Sequence, residues 1–348
     1  MRVAVINTQV PFVRGGAEVL ADDLVKQLRI RNISSCLITI PFKWYPNDTL
    51  VKHVQACWNI DVSESNANKI DKIICLKFPV YCLTHQFKII WLCHQHRPVY
   101  DMWNNQVGGL VNTEENRKLK SFIKFSDNEA LITAKKRFAI SKNVSHRLKL
   151  HNDIESDVLY PPISSKIIKK DKIEYDNFIL CPSRINRLKR QHLIVEAFCS
   201  ISSDYKLILT GIKEDAEYFI DITKIISKYN RENDVIFLGF ISDEKLSSLY
   251  RRCNFVTFIP YDEDYGYITI EAMSYMKCVL CTSDSGGVNE FIEHGVNGYK
   301  VSPQKESLTA ALNTLIHTKD SIKFGKAAYE KYLSLNLCWD NTINKLVS

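Results

Sequence analysis

No stretch of the chain approaches the ~18 consecutive apolar residues of a membrane-spanning helix, so no helical span is expected. The opening segment M-R-V-A-V-I-N-T-Q-V-P-F has too short an apolar core for a secretory leader and reads as a first buried strand. The 11 cysteines form no C-x-x-C pair, and most lie in apolar segments such as Ile73 to Leu76 and Val279 to Cys281. Buried reduced thiols of a cytosolic protein are therefore expected, not a disulfide scaffold or a zinc site. The G-x-G-x-x-G spacing of a dinucleotide fingerprint is missing, which argues against a nicotinamide or flavin enzyme. The usual DNA- and RNA-binding signatures are missing too, so nucleic acid is not an expected partner. Neither a short internal repeat nor a low-complexity tract occurs.

What is present suits two α/β domains. A chain of 348 residues is long for one core, and 45% hydrophobic with 24% charged residues is ordinary for a globular protein. Residues 1–160 hold 22 Lys/Arg against 15 Asp/Glu, whereas residues 161–348 hold 24 of each. The whole net charge of +7 thus belongs to the N-terminal half, and much of it gathers between Arg117 and Lys149. A solvated helical face explains such a run; contact with an anionic membrane or a phosphorylated acceptor is the functional reading.

Strands are expected at Val3 to Asn7, Cys36 to Ile40, Lys72 to Cys75, Lys88 to Cys93 and Arg137 to Ile140, with a helix at Ala17 to Leu28 and another capped by Ser141. Tyr160-Pro161-Pro162 then stops regular structure. The pattern restarts with strands at Phe178, Tyr205, Val235, Cys253 and Cys278, alternating with helices. Two doubly wound halves facing a central cleft follow: 1–160, a linker at 161–173, a second domain at 174–320 and a helical segment at 321–348.

Ligands of open α/β sheets bind at the carboxyl ends of the strands, so the loops there carry the candidate chemistry. In I-P-Y-D-E-D-Y-G-Y-I-T-I-E-A-M, Glu263 falls in a polar turn with Gly266, and Glu271 falls on the following helix. Carboxylates so placed accept hydrogen bonds from vicinal hydroxyls, as on a sugar or a ribose; a helix start with a favourable early glutamate is the plainer reading. Gly15 and Gly16 open the first helix, where backbone amides favour phosphate. Gly286 and Gly287 supply a second glycine-rich turn before a helix that starts at Glu290 and ends near Gly295. In C-P-S-R-I-N-R-L-K-R, Arg184 and Lys189 can clamp a diphosphate across a strand–helix connection, while Arg187 and Arg190 could equally be solvated. His94 and His96, past a buried strand, are candidates for substrate contact beside Arg97, Tyr100 and Asp101; H-x-H without a third ligand is a weak metal signal. Asp262-Glu263-Asp264 spells D-x-D, but Arg184 and Lys189 already provide the positive charge, so no metal is expected.

Taken together, the paired-glycine loop, S-R-x4-K, E-D-Y-G-x4-E-A-M and S-G-G-x-x-E-x-I-x-x-G-x-N-G resemble the family 4 retaining glycosyltransferases, from Met1 to about Trp339. The resemblance implies a GT-B architecture of two Rossmann-like domains, the N-terminal one for the acceptor and the C-terminal one for a nucleoside diphosphate sugar, with no cofactor. It implies that Arg184 and Lys189 bind the diphosphate, that Glu271 holds the ribose and Glu263 the donor sugar, and that amides near Gly16, Gly266 and Tyr267 meet the sugar or phosphate. His94 matches a histidine near the transferred sugar, with His96 the runner-up, and the final helix would cross back to the first domain. H-Q-H-R-P-V-Y-D-M-W further resembles bacterial members that assemble surface polysaccharide, which implies a cytoplasmic enzyme at the inner membrane face, with a glycan or lipid-linked acceptor. Asp264 departs from the proline usual in E-P-F-G and leaves the sugar open. A sugar-nucleotide 2-epimerase and a non-catalytic glycan- or lipid-binding protein are the rival readings.

Overall fold

The computed structural model describes residues 1–163 and 173–348. It divides into two compact units, Met1–Pro162 with Leu337–Ser348, and Ile163–Asn336. Each is a six-stranded, all-parallel sheet with helical crossovers.

In the first unit β1 (Arg2–Gln9), β2 (Ser34–Pro41), β3 (Lys72–Cys75), β4 (Lys88–Leu92), β5 (Lys136–Ala139) and β6 (Asp157–Val158) lie in the order β2-β1-β3-β4-β5-β6. Val3 to Ile6, Ile73 to Leu76 and Ile89 to Leu92 are buried without alternation, because a parallel sheet covered on both faces exposes neither. In register, Ile6 of β1 lies opposite Cys75 of β3. The helices α1 (Gly16–Ile30), α2 (Asn47–Asn59), α3 (Glu114–Ile132) and α4 (Lys142–Asn152) connect these strands. Thr113 and Ser141 cap α3 and α4 by accepting the backbone N–H of Asn116 and Val144, which satisfies amides the helix leaves orphaned.

In the second unit β7 (Phe178–Pro182), β8 (Lys206–Thr210), β9 (Val235–Phe237), β10 (Phe255–Thr257), β11 (Val279–Thr282) and β12 (Gly298–Val301) follow the order β9-β8-β7-β10-β11-β12. The chain reverses direction across the sheet between β7 and β10, and so creates a topological switch point at their carboxyl ends. Ile179 pairs with Phe255 there, inside a core that includes Ile194, Phe198, Leu207, Ile222 and Leu280. The helices are α5 (Gln191–Cys199), α6 (Ala216–Lys228), α7 (Asp243–Arg252), α8 (Tyr267–Ser274), α9 (Lys305–His317) and α10 (Asp320–Ser334).

One expected boundary differs. The return to the first unit begins at Leu337, not at residue 321, because α10 buries Phe324, Gly325 and Ala328 within the second unit. At Gly325 a Cβ would come within 2.1 Å of the Met276 carbonyl oxygen, so glycine is what lets α10 approach the turn after α8. Only α11 (Trp339–Val347) belongs to the first unit: Trp339 packs edge-to-face on Trp91 at 6.4 Å, and Asp340 pairs with Arg31. Of the expected linker, residues 164–172 lie outside the described residues.

Candidate active site

The chemistry-bearing loops of the second unit meet at its switch point. Beyond β7 the chain passes Arg184 and a single 3-10 turn, Arg187–Lys189, which Asn186 caps by accepting the Lys189 N–H. Beyond β10 it turns through Glu263 and Gly266 into α8. The two loops are joined by an ion pair: Lys189 Nζ stands 2.5 Å from Glu263 Oε2, with 13% and 25% of the two side chains exposed. Tyr261 N–H also donates to the Leu188 carbonyl. One expected phosphate ligand thus reaches one expected sugar ligand directly.

Arg184 pairs with Glu214, beyond β8. Arg190 is not solvated: it grips both oxygens of Asp284 at 2.7 Å and donates to the Ile259 and Pro260 carbonyls and to Thr282 Oγ1. It therefore ties the ends of β10 and β11 together. Arg187, half-exposed, pairs with Asp215 at 3.1 Å.

Glu271 lies on the second turn of α8, where Tyr250 of α7 donates its hydroxyl hydrogen to Oε2 at 2.8 Å. Burial pushes the Glu271 carboxyl above the usual range, and the Tyr250 hydrogen bond pulls it back.

The glycines act mainly by allowing close approach. Gly287 donates its N–H to the Glu263 carbonyl at 2.7 Å, and a Cβ there would sit 2.6 Å from the Asp264 oxygen. Gly286 takes φ 62°, ψ −128°, which favours glycine strongly. They lock the β11 loop against the Glu263 loop, with Glu263 and Gly286 bridged as in a short parallel pair. The helix expected from Glu290 to Gly295 is only a 3-10 turn, Gly287–Glu290, because Asn297 takes over the capping: its Oδ1 accepts from Glu293 N and its Nδ2 donates to the Phe291 carbonyl. Gly266, at φ 88°, caps the start of α8 ahead of Tyr267.

In the first unit, Gly15 and Gly16 open α1, but the Gly15 amide is already taken by Glu18 Oε2 at 2.9 Å, and Glu18 also pairs with buried Lys77 beyond β3. Neither Glu18 nor Lys77 was singled out by spacing; their ion pair forms because β1 and β3 are neighbours at this sheet's own switch point. The strand β4 delivers His94, half-exposed, whose Nδ1 lies 2.8 Å from the Gln95 carbonyl oxygen. When the ring is neutral this contact places the proton on Nδ1 and leaves the Nε2 lone pair as acceptor. His96 is different. It is 8% exposed, packs on Phe78, and burial beside His94 pulls it down to about 3, so it stays neutral. Tyr100 is also turned inward, donating to Asp127 Oδ2 at 2.7 Å. Arg97 pairs with Asp101. Of the four acceptor-side and histidine candidates, His94 and Arg97 keep partly exposed polar groups, whereas His96 and Tyr100 are core residues of this unit.

Among the described residues no three His, Cys, Asp or Glu side chains gather as a metal-ligand set, and no helix is long and apolar enough to cross a membrane.

Residues 163–331 match the family model described as glycosyl transferases group 1. Over that unit, just under half of the chain, the protein is similar to the group 1 glycosyl transferases. The human protein alpha-1,3/1,6-mannosyltransferase ALG2 is 28% identical over 197 residues, 50% of this chain and 45% of its own length. A Campylobacter jejuni relative, N-acetylgalactosamine-N,N'-diacetylbacillosaminyl-diphospho-undecaprenol 4-alpha-N-acetylgalactosaminyltransferase, is 26% identical over 167 residues, 46% of this chain and 44% of its own. These matches span less than half the length of either relative. The solved structure of Anabaena HepE in complex with UDP and glucose covers 98% of this chain and 99% of its own, with TM-score 0.67 and 18% identity. That likeness is one of fold, and the fold is GT-B: two α/β units, each built on a parallel sheet.

Proposed function

We propose that this glycosyltransferase moves a sugar from a nucleoside diphosphate sugar to a glycan or lipid-linked acceptor, with retention of configuration and without a metal ion. The observation that carries the reading is the switch point of the second unit, where Lys189, on the same loop as Arg184, pairs with Glu263 on the loop that leads into the helix bearing Glu271. As the glycosidic bond to the donor breaks, negative charge builds on the departing diphosphate. Fixed cations aimed there lower the barrier, in general by the largest electrostatic contribution. Lys189 approaches the phosphates already oriented by Glu263, and Glu263 holds donor-sugar hydroxyls with its remaining oxygen capacity. Glu271 accepts the ribose hydroxyls. In the same-face route the departing phosphate takes the acceptor's proton, so Glu263 positions the sugar and is not a glycosidase-type nucleophile. His94 holds a hydroxyl of the transferred sugar, while Arg97 faces the acceptor.

The name of one relative supports the acceptor class and that of another the transfer of a sugar. The Campylobacter relative is named for a diphospho-undecaprenol-linked substrate, and the human one for mannosyl transfer. We place the reaction at the inner face of the cytoplasmic membrane in surface-polysaccharide assembly, the basic N-terminal half making the peripheral contact. The test is to incubate the enzyme with labelled nucleoside diphosphate sugars, with and without polyprenyl-diphosphate-linked glycans. Transfer that requires acceptor, and a new linkage whose anomeric configuration by NMR equals the donor's, is expected. A sugar nucleotide altered without acceptor would point to an epimerase instead, and an inverted linkage would refute retention.

A further inference from the structure

Beyond β7 and β8 the two strands do not part. Ser183 N–H donates to the Thr210 carbonyl, Ile185 N–H to the Ile212 carbonyl, and Glu214 N–H to the Ile185 carbonyl, so the parallel ladder continues through the loops. Gly211 makes this possible: at φ 119° it takes a conformation that other residues resist, and a Cβ would lie 2.4 Å from the Ser183 carbonyl oxygen. The result is that Glu214 is fixed by backbone against the segment bearing Arg184. One carboxylate oxygen accepts from Arg184 Nη1, and the other accepts from Asn186 Nδ2 at 2.7 Å. Among the described residues, Glu214 is the only side-chain partner of Arg184, so the rest of the guanidinium fork keeps its donors. Asn186 in turn accepts the Lys189 N–H, so the same carboxylate reaches both expected diphosphate ligands.

We propose that Glu214 is a positioning residue for the donor diphosphate: it holds Arg184 and Asn186 in the orientation that presents both cations to the two phosphates. The proposal rests on the reading of Arg184 as a diphosphate ligand. An arginine this exposed otherwise has many rotamers, and immobilising it on binding lowers affinity; a carboxylate that fixes it beforehand removes part of that penalty. The opposite effect, a carboxylate that repels the incoming diphosphate, predicts tighter binding when Glu214 is removed, so the sign of the change separates the two.

Calorimetric titrations of UDP, UMP, GDP and GMP with wild type, Arg184→Ala, Glu214→Ala and Glu214→Gln test it. For whichever base binds, Glu214→Ala should weaken the diphosphate by roughly fivefold, as for one side chain left to be immobilised on binding. The monophosphate should weaken less, narrowing the diphosphate-to-monophosphate preference. Glu214→Gln keeps one acceptor oxygen but turns an amide donor toward the other partner, so it should restore that preference only in part. A role confined to folding would weaken both nucleotides equally and leave the preference unchanged, which would overturn the proposal. Tighter diphosphate binding by Glu214→Ala would overturn it too. If Arg184→Ala itself leaves the preference untouched, or no diphosphate binds wild type, the diphosphate reading of Arg184 fails first.

Discussion

Replacing Lys189 separates catalysis from stability because its ion-pair partner, Glu263, stays partly in water. Its ammonium stands 2.5 Å from Glu263 and 5.3 Å from the centre of the Phe258 ring. Loss of a preorganised group facing charge that develops in the transition state costs about 2.7–4 kcal/mol, so Lys189→Met should lower kcat by roughly 10²- to 10³-fold. The cost to folding is much smaller. Glu263 keeps a quarter of its side chain in water and can rehydrate once Lys189 is gone, which holds the penalty near that of an exposed pair, about 1 kcal/mol. That corresponds to a melting-temperature drop of only a few degrees for units of this size. Steady-state transfer kinetics and thermal unfolding on the same preparations read both numbers. The two residues touch, so Lys189→Met and Glu263→Gln should not add in the double variant. Turnover within a few-fold of wild type would refute the clamp. A loss of turnover matched by collapse of the fold would refute the separation.

Three other outcomes follow from the same geometry. Tyr250→Phe removes the hydrogen bond that Glu271 Oε2 accepts, and titration should show donor affinity falling by about three- to tenfold, as for one ordinary hydrogen bond. Burial pushes Asp127 up to about 7 from its ordinary 3.8, so the folded state binds more protons than the unfolded across that window and stability falls as pH rises through it. His96, pulled down to about 3, acts oppositely: the unfolded state takes up its proton first and stability falls as pH drops below about 6.5. Urea unfolding at several pH values should therefore find Asp127→Asn gaining about 1.4 kcal/mol relative to wild type for each unit that pH rises between about 4 and 6.5. Trp339→Ala opens the space between α11 and Trp91 and should cost about 3–5 kcal/mol, visible as a lowered melting temperature of the first unit.

The strands were legible because parallel sheets bury both faces and leave unbroken apolar runs; Lys72–Cys75 reads the same in sequence and structure. The basic run from Arg117 falls largely on α3, whose charges sit on the outer face, as its reading as a solvated helical face implies, while Leu119, Ile123, Ala130 and Leu131 supply a narrow buried stripe. For α9 and α10, no chemistry-bearing motif marked them out. At the site, residues within one loop were readable from spacing, as with Arg184 and Lys189, because strand–turn–helix order fixes where they fall. Glu214, Tyr250 and the Glu18–Lys77 pair were not, since each meets its partner only through the pairing of strands or helices far apart in sequence. The depth of His96 and Tyr100 was equally invisible: a loop beyond a strand reads as exposed, and only the packing of Phe78, Asp127 and Asn152 shows that these side chains turn inward.

The measurement that bears most directly on the central claim is transfer of a labelled sugar from a nucleoside diphosphate sugar to a polyprenyl-diphosphate-linked glycan, run side by side with wild type and Lys189→Met. The account predicts acceptor-dependent product with wild type and a loss of roughly 10²-fold or more with a folded Lys189→Met protein. Equal product from both would contradict it.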